Sequence, residues 1–169
     1  MTEPREEAAS NGTSAIPPEG RLAGIDFGTV RIGIAISDPG QAFSSPHENY
    51  TRQDAQRDEQ HFRTFVSDES IVGFVVGLPL YPSGDESPKS TEAREFGAWL
   101  ADATGLPVAF HDERYTSSVA EDEMIAAKLT RKRRKERLDM LAAQIILRSF
   151  LENRSRLRQT GTAVTGLHR

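Results

Sequence analysis

The run Ile71-Val-Gly-Phe-Val-Val-Gly-Leu78 constrains this chain more than any other feature. It is short, apolar and rich in β-branched residues, so it reads as a strand buried on both faces. Such a strand needs helical cover, and the flanking sequence supplies it. Asp54 to Glu69 is polar, with Phe62, Phe65 and Val66 at helical spacing. Ser90 opens a second helix to about Thr104, ended by Gly105 and Pro107, with Ala93, Phe96, Gly97 and Leu100 as its apolar face. Val108 to Asp112 is another strand. Even extended to Leu80, the apolar run has ten residues, two Gly and one Pro among them. A membrane helix needs roughly 18, so no membrane association is expected.

Upstream, Leu22-Ala-Gly-Ile-Asp-Phe-Gly28 and Ile32-Gly-Ile-Ala-Ile-Ser37 are β-type segments joined by Thr29-Val-Arg31. The short spacing and the Gly at the turn predict an antiparallel hairpin. Pro46 confines a third extended segment, Phe43 to Tyr50, to an edge or a bulge. Downstream, Ser117 or Ser118 caps a short helix to about Leu129, a basic loop follows, and a last helix runs from about Lys135 to Leu151. This order predicts an α/β mixed sheet, with a leading antiparallel hairpin, later parallel strands and helices on both faces.

The folded domain is expected over residues 21–152. Residues 1–20 lack aromatic residues and are dominated by Pro, Gly, Ser and Glu, which predicts a disordered tail; residues 153–169 are expected to be a basic flexible one. The N-terminus has neither the basic nor the apolar region of a secretory signal, so a cytoplasmic location is expected. With no cysteine, any metal must be held by oxygen or imidazole groups. The net charge of -4 hides an asymmetry: residues 1–127 carry 9 Lys/Arg against 22 Asp/Glu, and residues 128–169 carry 12 against 3. Clustered Lys and Arg release counterions on meeting phosphates, so the C-terminal part suits a polyanionic partner, though a solvated basic linker has the same composition.

Three positions could carry chemistry. Asp26 shares a strand face with Leu22 and Gly24, while Ala23, Ile25 and Phe27 take the other. An isolated buried charge is costly, so a carboxylate there needs a hydrogen-bonding, cationic or metal partner. A plainer reading makes Asp26 a cap for the Gly28-Thr29 bend. At His111-Asp112-Glu113-Arg114 two acids leave a strand at its C-terminal end, where open α/β sheets place their sites. Alternation admits one of them, and spacing leaves open whether Asp112 replaces or assists Glu113. His111 reads as structural, because a lone His is poor support for zinc. Asp139 lies on a helical stripe with Ala142, Ala143, Ile146 and Phe150, which aims it at the sheet; a first-turn Asp favoured by the helix dipole fits equally well.

Three such acids suit hard divalent cations, Mg²⁺ or Mn²⁺, and two-metal phosphodiester hydrolysis. Lys128, Arg131, Lys132, Arg133, Arg134, Lys135 and Arg137 immediately precede Asp139, so a phosphate backbone gripped there would reach the acids. No aromatic residue interleaves this run, and base stacking is not expected from it.

The blocks Gly24-Ile-Asp-Phe-Gly-Thr-Val-Arg-Ile-Gly-Ile-Ala-Ile-Ser-Asp38, Val75-Val-Gly-Leu-Pro-Leu80, Asp112-Glu-Arg-Tyr-Thr116 and Arg137-Leu-Asp-Met-Leu-Ala-Ala143 occur in this order. In these blocks the chain resembles, from about Arg21 to Leu151, the YqgF (RuvX) family of Holliday junction resolvase-like proteins, described as nucleases for the 5′ end of pre-16S rRNA. The resemblance implies an RNase H-like fold whose metal-binding acids match Asp26, Glu113 and Asp139, with Arg31 and Arg114 in flanking motif positions. It implies a nuclease acting on structured nucleic acid, either pre-rRNA during ribosome biogenesis or branched DNA as a Holliday junction resolvase. Ribosomal subunit precursors would be its partners, and a monomer or weak homodimer is expected. Val30 stands where the family commonly has Lys, and the loop Tyr81-Pro-Ser-Gly-Asp-Glu-Ser87 departs from the usual Asn- and Gly-containing form, which bears on substrate grip.

Two other readings compete. Gly24-Ile-Asp-Phe-Gly-Thr29 also looks like the first phosphate loop of the actin, Hsp70 and sugar-kinase superfamily, but two lobes of ordinary size need roughly twice this chain. A noncatalytic RNA-binding ribosome-assembly factor would keep the acids for structure and the basic run for affinity.

Overall fold

The computed structural model of the chain describes residues 16–115 and 131–164. Its elements are β1 (Arg21–Phe27), β2 (Arg31–Ser37), β3 (Ser44–Thr51), α1 (Ala55–Glu69), β4 (Ile71–Leu78), α2 (Pro88–Thr104), β5 (Val108–Asp112), a 3-10 turn (Glu113–Tyr115) and α3 (Arg131–Val164). The strands form one sheet in the order β3-β2-β1-β4-β5. The hairpin β1/β2 and the pair β2/β3 are antiparallel, while β1/β4 and β4/β5 are parallel. The buried strand β4 thus occupies an interior position beside β1, as its apolar run requires.

The two sheet faces are covered differently. Ala23, Ile25, Ile32, Ile34, Phe74 and Val76 pack under α1 and α2 against Phe62, Phe65, Phe96 and Leu100. Leu22, Ala35, Val75 and Ala109 face α3 and meet Ala143, Ile146, Leu147 and Phe150. Among the described residues no helix is long and apolar enough to cross a membrane.

Local chemistry sets the boundaries. Pro46 lies opposite Ala35, where the β2/β3 register shifts, so the proline sits at an irregularity of an edge strand. Asp54 caps α1 by accepting from the Arg57 amide, and Ser70 ends the helix in the left-handed conformation. Helix α2 starts at Pro88, two residues before the expected Ser90. Ser87 is the true cap, Ser90 returns the hydrogen bond as its capping-box partner, and Pro88 fits the first turn, where its missing N–H has no partner to lose.

Three expectations change at the ends of the domain. The last helix begins at Arg131 instead of Lys135, so residues 131–134 are helical and not a basic loop. It also runs past Leu151 to Val164, so the segment from 153 to 164 is helix and not a flexible tail. The cause is composition: Lys, Arg, Leu, Gln and Glu are good helix formers, and neither Gly nor Pro interrupts residues 131–160. Arg154 anchors the extension by donating to the carbonyls of Ile16 and Pro17 and to Gln41 Oε1. Packing also begins before residue 21, because Ile16 is buried against the α3 face. Residues 1–15, the helix expected from Ser117 or Ser118 to Leu129, Lys128 and residues 165–169 lie outside the described residues.

Candidate active site

One row of residues crosses the sheet near the C-terminal ends of β1, β4 and β5. Asn49 on β3 pairs with Gly33 on β2, and Gly33 pairs with Asp26 on β1. On the other side of Asp26, Gly77 on β4 pairs with His111 on β5. The parallel pairing of Ile25 with Val76 carries Asp26 on to the level of Gly77. Asp26 therefore stands between two glycines.

Those glycines make room for the other two acids. A Cβ on Gly33 would collide with the Asp139 backbone carbonyl, so α3 can lie this close to β2 only because no side chain is there. A Cβ on Gly77 would stand 2.5 Å from Glu113 Oε1, so the Glu113 carboxylate occupies the space over β4. The helix start at Arg131 also changes how Asp139 is read. It lies more than two turns inside α3, so a first-turn role favoured by the dipole does not apply.

The electrostatics follow from this crowding. Asp26 is pushed up to about 7, first by burial and then by the charges of Glu113 and Asp139, against a lowering pull from Lys89. Glu113 is also raised, by burial and then by Asp112, again opposed by Lys89. Asp26 thus feels both other acids, yet among the described residues no three carboxylates or imidazoles close into a ready-made metal cage.

Asp112 is differently engaged. Arg114 grips it through Nε at 2.9 Å and Nη2 at 2.6 Å and donates to the Pro82 carbonyl, which ties the strand end to the loop after β4. The Arg114 guanidinium holds the Asp112 carboxyl below its ordinary range. Arg114, expected at the nucleic acid, is exposed and also ties Asp112 to the loop. Arg31 opens β2 and by alternation shares the face of Gly33 at the acid end of the sheet. Arg133 and Arg137 are exposed in the turns of α3 that lead to Asp139. Arg131, Lys132, Arg134 and Lys135 belong to the same turns.

Sequence reasoning passed over Asn49 and Lys89 and read His111 as structural. Asn49 donates from Nδ2 to Asp139 Oδ2 at 3.3 Å. Lys89, the second residue of α2, is the positive charge that both Asp26 and Glu113 feel. His111, expected to be structural, is buried beside Gly77 with no hydrogen-bond partner for Nε2 among the described residues, and burial lowers its pKa. Only the position of Lys89, just after the loop that follows β4, was a usable signal.

The chain is similar to known proteins over most of its length. A family model named RuvX and described as Holliday junction resolvase matches residues 20–153. A protein of Rhodopirellula baltica named "Putative pre-16S rRNA nuclease" is 47% identical over 136 residues, covering 80% of this chain and 79% of its own. A relative of the same name from Sphingopyxis alaskensis is 40% identical over 149 residues, covering 88% of this chain and 97% of its own. Among solved structures, RuvC of T. thermophilus in complex with a Holliday junction substrate is similar with a TM-score of 0.53 at 14% identity, covering 80% of this chain and 96% of that one. The yeast mitochondrial Holliday junction resolvase Ydc2 has a TM-score of 0.51 at 13% identity, covering 88% and 84%. At such identities the likeness is one of fold, the RNase H-like mixed sheet.

Proposed function

This chain belongs to the RuvX family, and on that footing we propose that it is a nuclease that hydrolyses phosphodiester bonds in structured nucleic acid, with the 5′ region of pre-16S rRNA as its substrate. The observation that carries the reading is the row in which Gly33 and Gly77 flank Asp26 and leave room for Asp139 and Glu113. Three acids from a strand, a strand end and a helix have no structural reason to be neighbours, since burial and then the charges of Glu113 and Asp139 raise Asp26.

Mg²⁺ or Mn²⁺ fits this donor set. The oxygens are hard ligands, and the two glycines let Asp139 and Glu113 come in close to the Asp26 row. Asp26, Glu113 and Asp139 would hold the ion. When bound, it supplies Lewis-acid activation of the attacking water and stabilisation of the leaving oxygen. The protein's own part is to bind and orient. Asp26, raised to about 7, would have to give up its proton to act as a ligand. Lys89 tempers the negative charge so that a phosphate can approach. Arg31, Lys128 and the basic turns from Arg131 to Arg137 grip the backbone through phosphates, independently of base sequence. Arg114 fixes the loop after β4 through Asp112 and the Pro82 carbonyl. The setting proposed is the cytoplasm, on ribosomal subunit precursors, with the protein a monomer or weak homodimer.

Branched DNA is a second substrate reading, favoured because the matching family model is itself described as Holliday junction resolvase. The test gives the purified full-length protein, with Mg²⁺ or Mn²⁺, an RNA bearing the 16S 5′ precursor extension and, separately, a four-way DNA junction. The expected result is cleavage of the RNA, abolished by Asp26→Asn with binding retained. Cleavage of the junction alone moves the substrate to DNA. Binding of both without cleavage of either contradicts the nuclease reading and leaves a noncatalytic assembly factor.

A further inference from the structure

Asn49 ends the row on the β3 side, next to Gly33 and across it from Asp26. Its Nδ2 donates to Asp139 Oδ2 at 3.3 Å, while its Oδ1 is buried with no hydrogen-bond partner among the described residues. The orientation is set by charge. Turning the amide over would bring Oδ1, an acceptor, against the carboxylate, also an acceptor, and leave the amide nitrogen buried without a partner. A buried carbonyl oxygen without a partner is costly, so an Asn kept this way has a use for that oxygen.

The bond to Asp139 is not what ties α3 to β3. Five residues further along, Gln144 Nε2 donates to the Ser44 carbonyl at 2.9 Å, and Ser44 Oγ donates to the Gln144 carbonyl at 3.3 Å. Those two bonds join helix and edge strand in both directions, and the buried stripe Ala143, Ile146, Leu147 and Phe150 adds apolar contact with the sheet. The Asn49 side chain is therefore left with a local task at the acid end.

We propose that Asn49 is a positioning residue of the candidate active site: Nδ2 fixes the Asp139 carboxylate, and Oδ1 stays beside the acids as a neutral oxygen acceptor, so that together they raise the site's affinity for a divalent ion. The inference rests on the nuclease reading. Partners that orient ligating carboxylates commonly contribute 10- to 100-fold in metal affinity. A neutral amide is suited to this place because it steadies one carboxylate without adding to the negative charge that already raises Asp26.

Mn²⁺ is titrated into ion-free full-length protein, without nucleic acid, and free Mn²⁺ is followed by electron paramagnetic resonance. Wild type, Asp26→Asn, Asn49→Ala and Asn49→Thr are compared, with the thermal midpoint of each ion-free protein recorded. Wild type taking up Mn²⁺ that Asp26→Asn does not take up establishes the ion site. Against that background, Asn49→Ala weakens uptake about 10-fold at a nearly unchanged midpoint, and Asn49→Thr, whose hydroxyl can donate to Asp139, falls between. Wild-type affinity in Asn49→Ala overturns the positioning role while leaving the nuclease reading standing. Should Asn49→Ala fail to fold, Asn49→Thr decides alone, with weakened uptake supporting the role and wild-type uptake overturning it. If wild type takes up no Mn²⁺, the ion site falls and the inference falls with it.

Discussion

The two faces of the sheet are built from opposite materials. Under α1 and α2 lie bulky side chains, and Phe62 makes edge contacts with Tyr50, Phe74, Phe96 and Trp99. Under α3 lie Gly24, Gly33, Ala35, Gly77 and Ala109, small enough for a helix backbone to come down close to the strands. Bulk on one face buries area and holds the fold together. Smallness on the other gives up some of that burial and sets acids side by side. Stability and the proposed function are thus separated by a sheet one residue thick, and substitutions on the two faces should fail in different ways.

The largest stability loss belongs to the bulky face. Phe62→Ala removes a fully buried ring and should cost about 3–5 kcal/mol in chemical denaturation, while molecules that remain folded cut at near wild-type rate. Equal loss of cleavage per folded molecule would break the separation. Gly33→Ala inverts the pattern. The added methyl meets the Asp139 backbone carbonyl, which cannot swing aside as a flexible side chain would, so α3 must shift. A cost of about 1–3 kcal/mol is expected from overpacking, and cleavage should fall about 100-fold because the acids are displaced. Full activity in Gly33→Ala would mean that close approach of α3 is not needed.

Asp26→Asn should do what few active-site substitutions do and stabilise the ion-free protein. In the unfolded chain Asp26 titrates near 3.8, and in the folded protein near 7. Between these values the folded state holds a proton that the unfolded state has released, so wild-type stability falls as pH rises from about 4 to 7 and is level above. The variant lacks this loss. It should be more stable by roughly 1–2 kcal/mol at pH 8, allowing for solvent screening of a partly exposed group, with the difference vanishing near pH 4. A constant difference across that range would show that Asp26 is not raised. The smallest effect on stability is expected from Arg133→Gln with Arg137→Gln, within about 0.5 kcal/mol at these exposed positions. Binding to nucleic acid should weaken whatever the sequence, and its salt dependence should flatten by about one to two released counterions. An unchanged salt slope would remove this part of α3 from the interface.

Much of the fold was legible because its signals are local. The buried run at Ile71–Leu78, the hairpin with its Gly turn and the caps near Asp54 and Gly105 each act within a few residues. The ends of α3 were not legible, because a dense run of Lys and Arg looks like a solvated loop while its propensity is helical. Asp26, Glu113 and Asp139 stood out because each is a carboxylate where an apolar neighbour or a strand end made it unusual. Asn49 had no such contrast with its surroundings, and Lys89 was marked only by its place just after the loop that follows β4. Asn49 reaches the row only through a register that slips at Pro46, and the charge of Lys89 acts on Asp26 from the start of a different helix. Such relations depend on how distant segments are docked, which spacing along the chain does not encode.

A crystal of the full-length protein soaked in Mn²⁺ and measured for anomalous scattering tests the central claim most directly. A peak is expected among the carboxylates of Asp26, Glu113 and Asp139, and no peak there in Asp26→Asn. A soaked wild-type crystal whose Mn²⁺ binds elsewhere, with these three carboxylates untouched, would contradict it.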